Sequence, residues 1–167
     1  MQIRYLDGPR LRRSLIAACA HARGARQELN RINVFPVPDG DTGTNLALTV
    51  KAIEDRVRPN RDRAAAAVAR TAAEAAVLGA RGNCGMMLSH FLLGFAESVS
   101  DRERITTQEF GTALGAGVEK LYDSLEDPVE GTILSVMRDA AAAARASQAT
   151  DFVPLVSQVV EEARDSL

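Results

Sequence analysis

The helical spacing of small and apolar residues constrains this chain more than any other feature. Leu11, Leu15, Ala18, Ala22, Leu29 and Ile32 recur at separations of about three, four and seven, which predicts one helix over 9–32. Further helices are expected from Thr44 to the stop at Arg56-Val57-Arg58-Pro59, over 62–80, and from Cys84 to Ser98. Three more follow, from Thr106 or Thr107 to Leu125, over 130–146, and from Asp151 onward. About one residue in six is alanine, aromatics make up 4% and Trp is absent, a balance that favours close-packed helices over a sheet. The expectation is therefore an all-α bundle of seven helices with no strand. One domain over 1–167 is expected, since no repeat or low-complexity linker divides the chain. The last helix reaches Leu167 without a capping signal, which reads as a fragment of a longer protein.

Several function classes are disfavoured. A net charge of −2 draws the chain to no polyanion, so nucleic acid is not an expected partner. Cys19 and Cys84 are too few to staple a secreted scaffold, and their scarcity fits a reducing compartment or indifference to redox state; the expected location is the cytoplasm. With His21 and His90 they have no zinc-site spacing. Arg10, Arg12 and Arg13 before Leu15–Ala18 echo a signal sequence, but the apolar run is about half the required length. The stretch from Met86 to Phe95 is interrupted by Ser89 and His90 and falls short of the ~20 residues that span a bilayer, so no integral membrane segment is expected.

The chemistry concentrates in Asn33-Val34-Phe35-Pro36-Val37-Pro38-Asp39-Gly40-Asp41-Thr42-Gly43-Thr44-Asn45. Pro36 and Pro38 are expected to hold Phe35 and Val37 extended. In a turn opened by Gly40 and Gly43, Asp39 and Asp41 can converge on one hard cation. The helix start behind them offers N–H groups and the Thr42 and Thr44 hydroxyls to phosphate oxygens. Taken alone, Asp39-Gly40 is also a plain turn, and Asp41 or Thr44 a plain N-cap. An EF-hand is excluded, because counting from Asp39 places Thr44 and Val50 where Gly and Glu are required.

A second loop, Gly79-Ala80-Arg81-Gly82-Asn83-Cys84-Gly85, joins two expected helices. Its glycines allow backbone to close around a phosphate and Arg81 offsets negative charge, although a helix-to-helix turn has the same composition. It lacks the Lys and Ser/Thr of a Walker loop. In Pro128-Val129-Glu130-Gly131-Thr132-Ile133-Leu134, Thr132 stands at a helix start and reads by itself as a cap.

Together the three segments resemble, in order, the pattern of the nucleotide-binding domain of bacterial fatty acid kinase, a relative of the dihydroxyacetone kinase L subunit. The likeness covers essentially the whole chain. Thr42 stands where the dihydroxyacetone branch tends to carry His, which favours the fatty acid branch over a dihydroxyacetone kinase subunit; the alternative from another class is a non-catalytic helical regulatory module, to which Cys84 and the short C-terminus point. The resemblance implies a DhaL-type barrel of eight antiparallel helices, matched here if the eighth lies beyond Leu167, with ATP and two magnesium ions held at one end. On matching positions it implies that Asp39 and Asp41 bind magnesium, as scaffold and electrostatics rather than bases, with Asn33 as a further ligand. It places Thr42, Gly43, Thr44 and Asn45 along the phosphates. Arg81, Gly82, Asn83, Cys84 and Gly85 would form the glycine loop over the nucleotide, with Thr132 facing the same region. Cys84 replaces the family's Ser, exchanging a hydroxyl for a weaker donor. The implied reaction passes the γ-phosphoryl of ATP to a fatty-acid carboxylate presented by a separate fatty-acid-binding protein. A homodimer assembled through domains outside this chain is a further implication.

Overall fold

The computed structural model describes residues 2–34 and 38–166. The conformations expected of Phe35 and Val37 lie outside these residues. In chain order the elements are β1 (Tyr5–Asp7), α1 (Gly8–Gly24), α2 (Arg26–Arg31), α3 (Thr42–Val57), α4 (Ala65–Gly79) and α5 (Gly82–Ser98). Then come β2 (Arg104–Thr106), α6 (Thr107–Asp123), α7 (Ile133–Ala146) and α8 (Phe152–Asp165). The all-α class expected from the sequence is what the chain adopts.

Two expectations are corrected in detail. The first helix is two helices, since α1 ends on Ala25, whose N–H turns back to the carbonyls of His21 and Ala22. An apolar stripe continues across such a break and does not reveal it, whereas Gly24 is the weakest helix former in the interior of the run. The eight helices among the described residues arise from this split. The absence of strands is also corrected: β1 and β2 pair antiparallel, with Tyr5 opposite Thr106 and Asp7 opposite Arg104. Three residues are too few for alternation to register in a sequence, and the pairing spans about a hundred positions. The Arg10 and Arg104 guanidiniums lie 4.4 and 4.5 Å from the Tyr5 ring centroid, a cation–π contact that secures the ribbon.

Successive helices from α3 to α8 pack each against the next, and α1 packs on α3 and α4. Helix α4 is the centre, with Ala65, Val68, Ala69, Ala72, Ala73, Ala75 and Ala76 buried. Alanine suits that place, because a helix covered on several sides must let neighbouring backbones approach. The few aromatics are spent on one joint, where Phe95, Phe110 and Phe152 meet edge-to-face at 5.7 and 5.4 Å and tie α5, α6 and α8 together.

The connections alternate between two ends. At one end, Gly8 donates its N–H to Arg63 O, Ala65 to Glu103 O and Phe152 to Ile3 O, at 2.8 to 2.9 Å. These bonds gather the β-ribbon and the turns before α4, α6 and α8. The start of α3, the α4–α5 turn and, by the same alternation, the segment 124–132 lie at the other end. Among the described residues no helix is long and apolar enough to cross a membrane.

Candidate functional site

The sequence motifs meet at that second end. A cleft of about 200 Å³ is lined by Asn33, Asp39, Asp41, Thr42, Asn45, Gly82, Asn83 and Cys84. Residues some forty positions apart are joined here because α3 and α5 begin side by side. Gly82 makes this approach possible: its φ is +60°, and a Cβ there would stand 2.7 Å from Asn45 Nδ2.

Asp41 is the N-cap residue of α3, yet its side chain makes no capping bond. Two asparagines do that work. Asn33 Oδ1 accepts the Thr42 N–H at 3.1 Å and also the Thr42 hydroxyl. Asn30, on α2, accepts the Thr44 N–H through Oδ1 and donates Nδ2 to Thr44 Oγ1, each at 3.0 Å. The simple reading of Asp41 as a cap is thereby removed. Asp39 retains a turn role, with its Oδ1 accepting the Asp41 N–H at 3.3 Å. Both carboxylates are exposed on the cleft wall.

Phosphate-binding capacity is therefore distributed unevenly. The Thr42 and Thr44 N–H groups, expected to receive phosphate, are taken by asparagine oxygens. The Thr42 hydroxyl proton is spent on Asn33, leaving lone pairs for the cleft. Helix α5, in contrast, starts without a side-chain cap, so its first turn keeps the anion-attracting character of a helix N-terminus.

Cys84 points its thiol at Thr42 O, 3.6 Å away, and at Arg81 O, 3.7 Å away. Burial pushes its pKa up and the Asp41 charge adds to the shift, so the group stays a neutral thiol. It bridges the two walls where the family pattern has a hydroxyl.

Other expected site residues fall elsewhere. Gly43 is buried against α2, where a Cβ would meet Arg26 O at 2.1 Å, and Thr44 faces Asn30. Gly85 is buried below the cleft. The exposed Arg81 side chain bonds to Ala80 O. Thr132 is a cap, accepting the Leu134 N–H at 3.3 Å, on a helix packed against α6 and α8, and it is not among the cleft-lining residues. In the same segment Glu130 accepts bonds from Tyr122, Ser135 and Arg138.

Sequence reading overlooked Asn30 and Thr49. Asn30 sits at the end of a helical run and resembles an ordinary surface residue. Thr49 had a signal, since Thr42, Asn45 and Thr49 follow the three-and-four spacing of one helix face.

Comparison with known proteins places the chain in a family. Residues 36–167 match the DAK2 domain. Protein YloV of Bacillus subtilis is 38% identical over 169 residues, covering 100% of this chain and 31% of the relative. An uncharacterized protein of Staphylococcus saprophyticus is 37% identical over 164 residues, covering 97% of this chain and 30% of the relative. One from Staphylococcus epidermidis is 40% identical over 141 residues, covering 83% and 26%. The chain thus spans less than a third of the length of these curated relatives. With the matched domain covering most of its length, the chain belongs to the DAK2-domain family, a kinase-related family of nucleotide-binding modules.

Proposed function

We propose that this chain is the ATP- and magnesium-binding module of a fatty acid kinase, acting in the cytoplasm on a fatty-acid carboxylate presented by a separate binding protein. One observation carries the reading. Asp41 holds the N-cap of α3 without capping it, so that it and Asp39 share a cleft with the uncapped start of α5.

Carboxylates repel a triphosphate while a helix N-terminus attracts one, and a divalent cation between them satisfies both. Asp39 and Asp41 are the residues that would hold it, with the Thr42 hydroxyl oxygen as a further lone-pair donor. Asn33 is a weaker candidate, because its amide oxygen already accepts two bonds from Thr42. Magnesium bound there would supply neutralisation of phosphate charge and alignment for in-line transfer. Gly82, Asn83 and Cys84 would offer N–H groups to the phosphates, while Thr132, outside the cleft lining, would approach only from the same end of the bundle.

The acceptor chemistry fits a cleft whose two acids are occupied in holding a cation rather than in taking a proton. A carboxylate is ionised near neutrality, so its oxygen can form the new bond to the γ-phosphorus while the bond to the β,γ-bridging oxygen breaks, yielding acyl phosphate and ADP. No proton has to be removed, and among the described residues no His or Lys lines the cleft. A hydroxyl acceptor such as dihydroxyacetone would need one. The partner protein and a dimer formed through other domains belong to the whole protein, of which this chain matches less than a third in its relatives.

Calorimetric titration with MgATP tests the site. Binding below about millimolar, weakened at least about tenfold in Asp39→Ala and Asp41→Ala, is expected. No binding by the wild type, or wild-type affinity in both variants, overturns it. Trapping acyl phosphate with hydroxylamine, against a parallel dihydroxyacetone assay of the longer protein, decides the acceptor.

A further inference from the structure

We infer that Thr49 is a positioning residue that couples the two walls of the cleft, a role that rests on the nucleotide-binding reading above. Thr49 lies on α3 one turn beyond Asn45 and is fully buried. Its hydroxyl donates to Asn45 O at 2.9 Å. That bond alone is ordinary, since threonine in a helix often bonds back one turn. The second bond is not local: Oγ1 accepts the N–H of Arg81 at 3.0 Å, across 32 positions. Arg81 is the N-cap residue of α5, and its own carbonyl accepts the Gly85 N–H at 3.1 Å.

One hydroxyl therefore ties the first turns of α3 to the residue from which α5 starts. Gly85 shows how closely the parts are fitted, for a Cβ there would stand 2.5 Å from Thr49 Oγ1. Asn45 and Gly82, which line opposite walls, both lie one short step from this bond. The Thr49 bond fixes where the α5 N–H groups stand relative to Asp39 and Asp41. Without it, the partly buried Arg81 N–H loses its protein acceptor and turns to water, which frees the start of α5 to shift.

A series of Thr49→Ser, Thr49→Cys and Thr49→Val separates hydroxyl from packing. Serine keeps the acceptor, cysteine weakens it and valine removes it at nearly constant volume. Two readouts are taken on chains whose circular dichroism matches wild type: MgATP affinity, and the hydrogen-exchange rate of the Arg81 amide without nucleotide. The Kd is expected to rise about tenfold in T49V and to stay within about twofold in T49S, with T49C between. Arg81 exchange should accelerate in the same order, and T49S with T49C supply that order should T49V fail to fold. Equal affinity across the series in a wild-type background that binds MgATP, or unchanged Arg81 exchange, overturns the role of Thr49 alone. A wild-type chain that binds no MgATP overturns the nucleotide reading and this role with it, and an exchange response there reduces Thr49 to a structural link.

Discussion

Arg23 on α1 and Glu54 on α3 meet at 2.5 Å, and the second Glu54 oxygen is held by Arg58 one turn further along α3. The carboxylate is buried, while both arginines keep much of their surface in water. Removing the acid thus leaves no buried positive charge behind, and the penalty is smaller than for a fully buried pair.

Glu54→Gln is expected to cost about 1–2 kcal/mol at neutral pH. The hydrogen bond from Arg58, offset in part by burial, holds the Glu54 carboxyl below its ordinary value of 4.5. A depressed pKa stabilises the fold above the unfolded-state value and ceases to do so as pH falls through the folded one. Thermal unfolding followed from pH 7 downward should show wild type and E54Q converging below about pH 4.5.

The two thiols should differ in access. Burial, reinforced by the Glu54 charge, pushes Cys19 up to about 11. Cys84 is half-exposed on the cleft. An aromatic disulfide reagent at pH 8 should label Cys84 in the native chain and Cys19 only after denaturant is added. The raised Cys19 value also means that its contribution to stability is lost as pH climbs from 9 toward 11, because the unfolded thiol ionises first. Native labelling of both thiols at one rate would contradict the burial of Cys19.

Two helical glycines predict opposite outcomes. A Cβ on Gly24 meets nothing within 4 Å, so Gly24→Ala should stabilise by about 0.5 kcal/mol through the unfolded chain. A Cβ on Gly43 would collide with Arg26 O at 2.1 Å, and Gly43→Ala should cost about 2 kcal/mol or more as α2 is displaced from α3. Urea denaturation distinguishes them by the sign of the shift.

At the start of α6, Thr106 accepts the Glu109 N–H through its hydroxyl, while Glu109 accepts the Thr106 N–H at 2.8 Å. Thr106→Ala should cost about 1 kcal/mol, and Thr106→Ser, which keeps the capping hydroxyl, no more than about a few tenths. Equal midpoints for both variants would show that the box contributes nothing.

Much of the fold was legible because helix formation is local. Leu11 and Leu15, or Val153 and Val156, reveal a helix through their spacing alone, and Thr106 with Glu109 marks its beginning. Element boundaries moved by a few residues where a turn intervened, as at Gly131, whose φ of +75° ends the loop before α7 rather than opening the helix. The acidic pair and the glycine loop were visible as motifs. Their roles were not, since a carboxylate at an N-cap has the same sequence whether it caps the helix or is left on a wall.

Local spacing along the chain was enough for the helical class, the order of the long helices and the two motifs that border the cleft, all properties carried within a few turns of chain. Tertiary structure decided the pairing of Tyr5 with Thr106, the asparagines that take over the capping of α3, and the bond from Arg81 to Thr49. Each of these depends on which distant group arrives first at an unsatisfied donor or acceptor, and no short-range spacing encodes that competition.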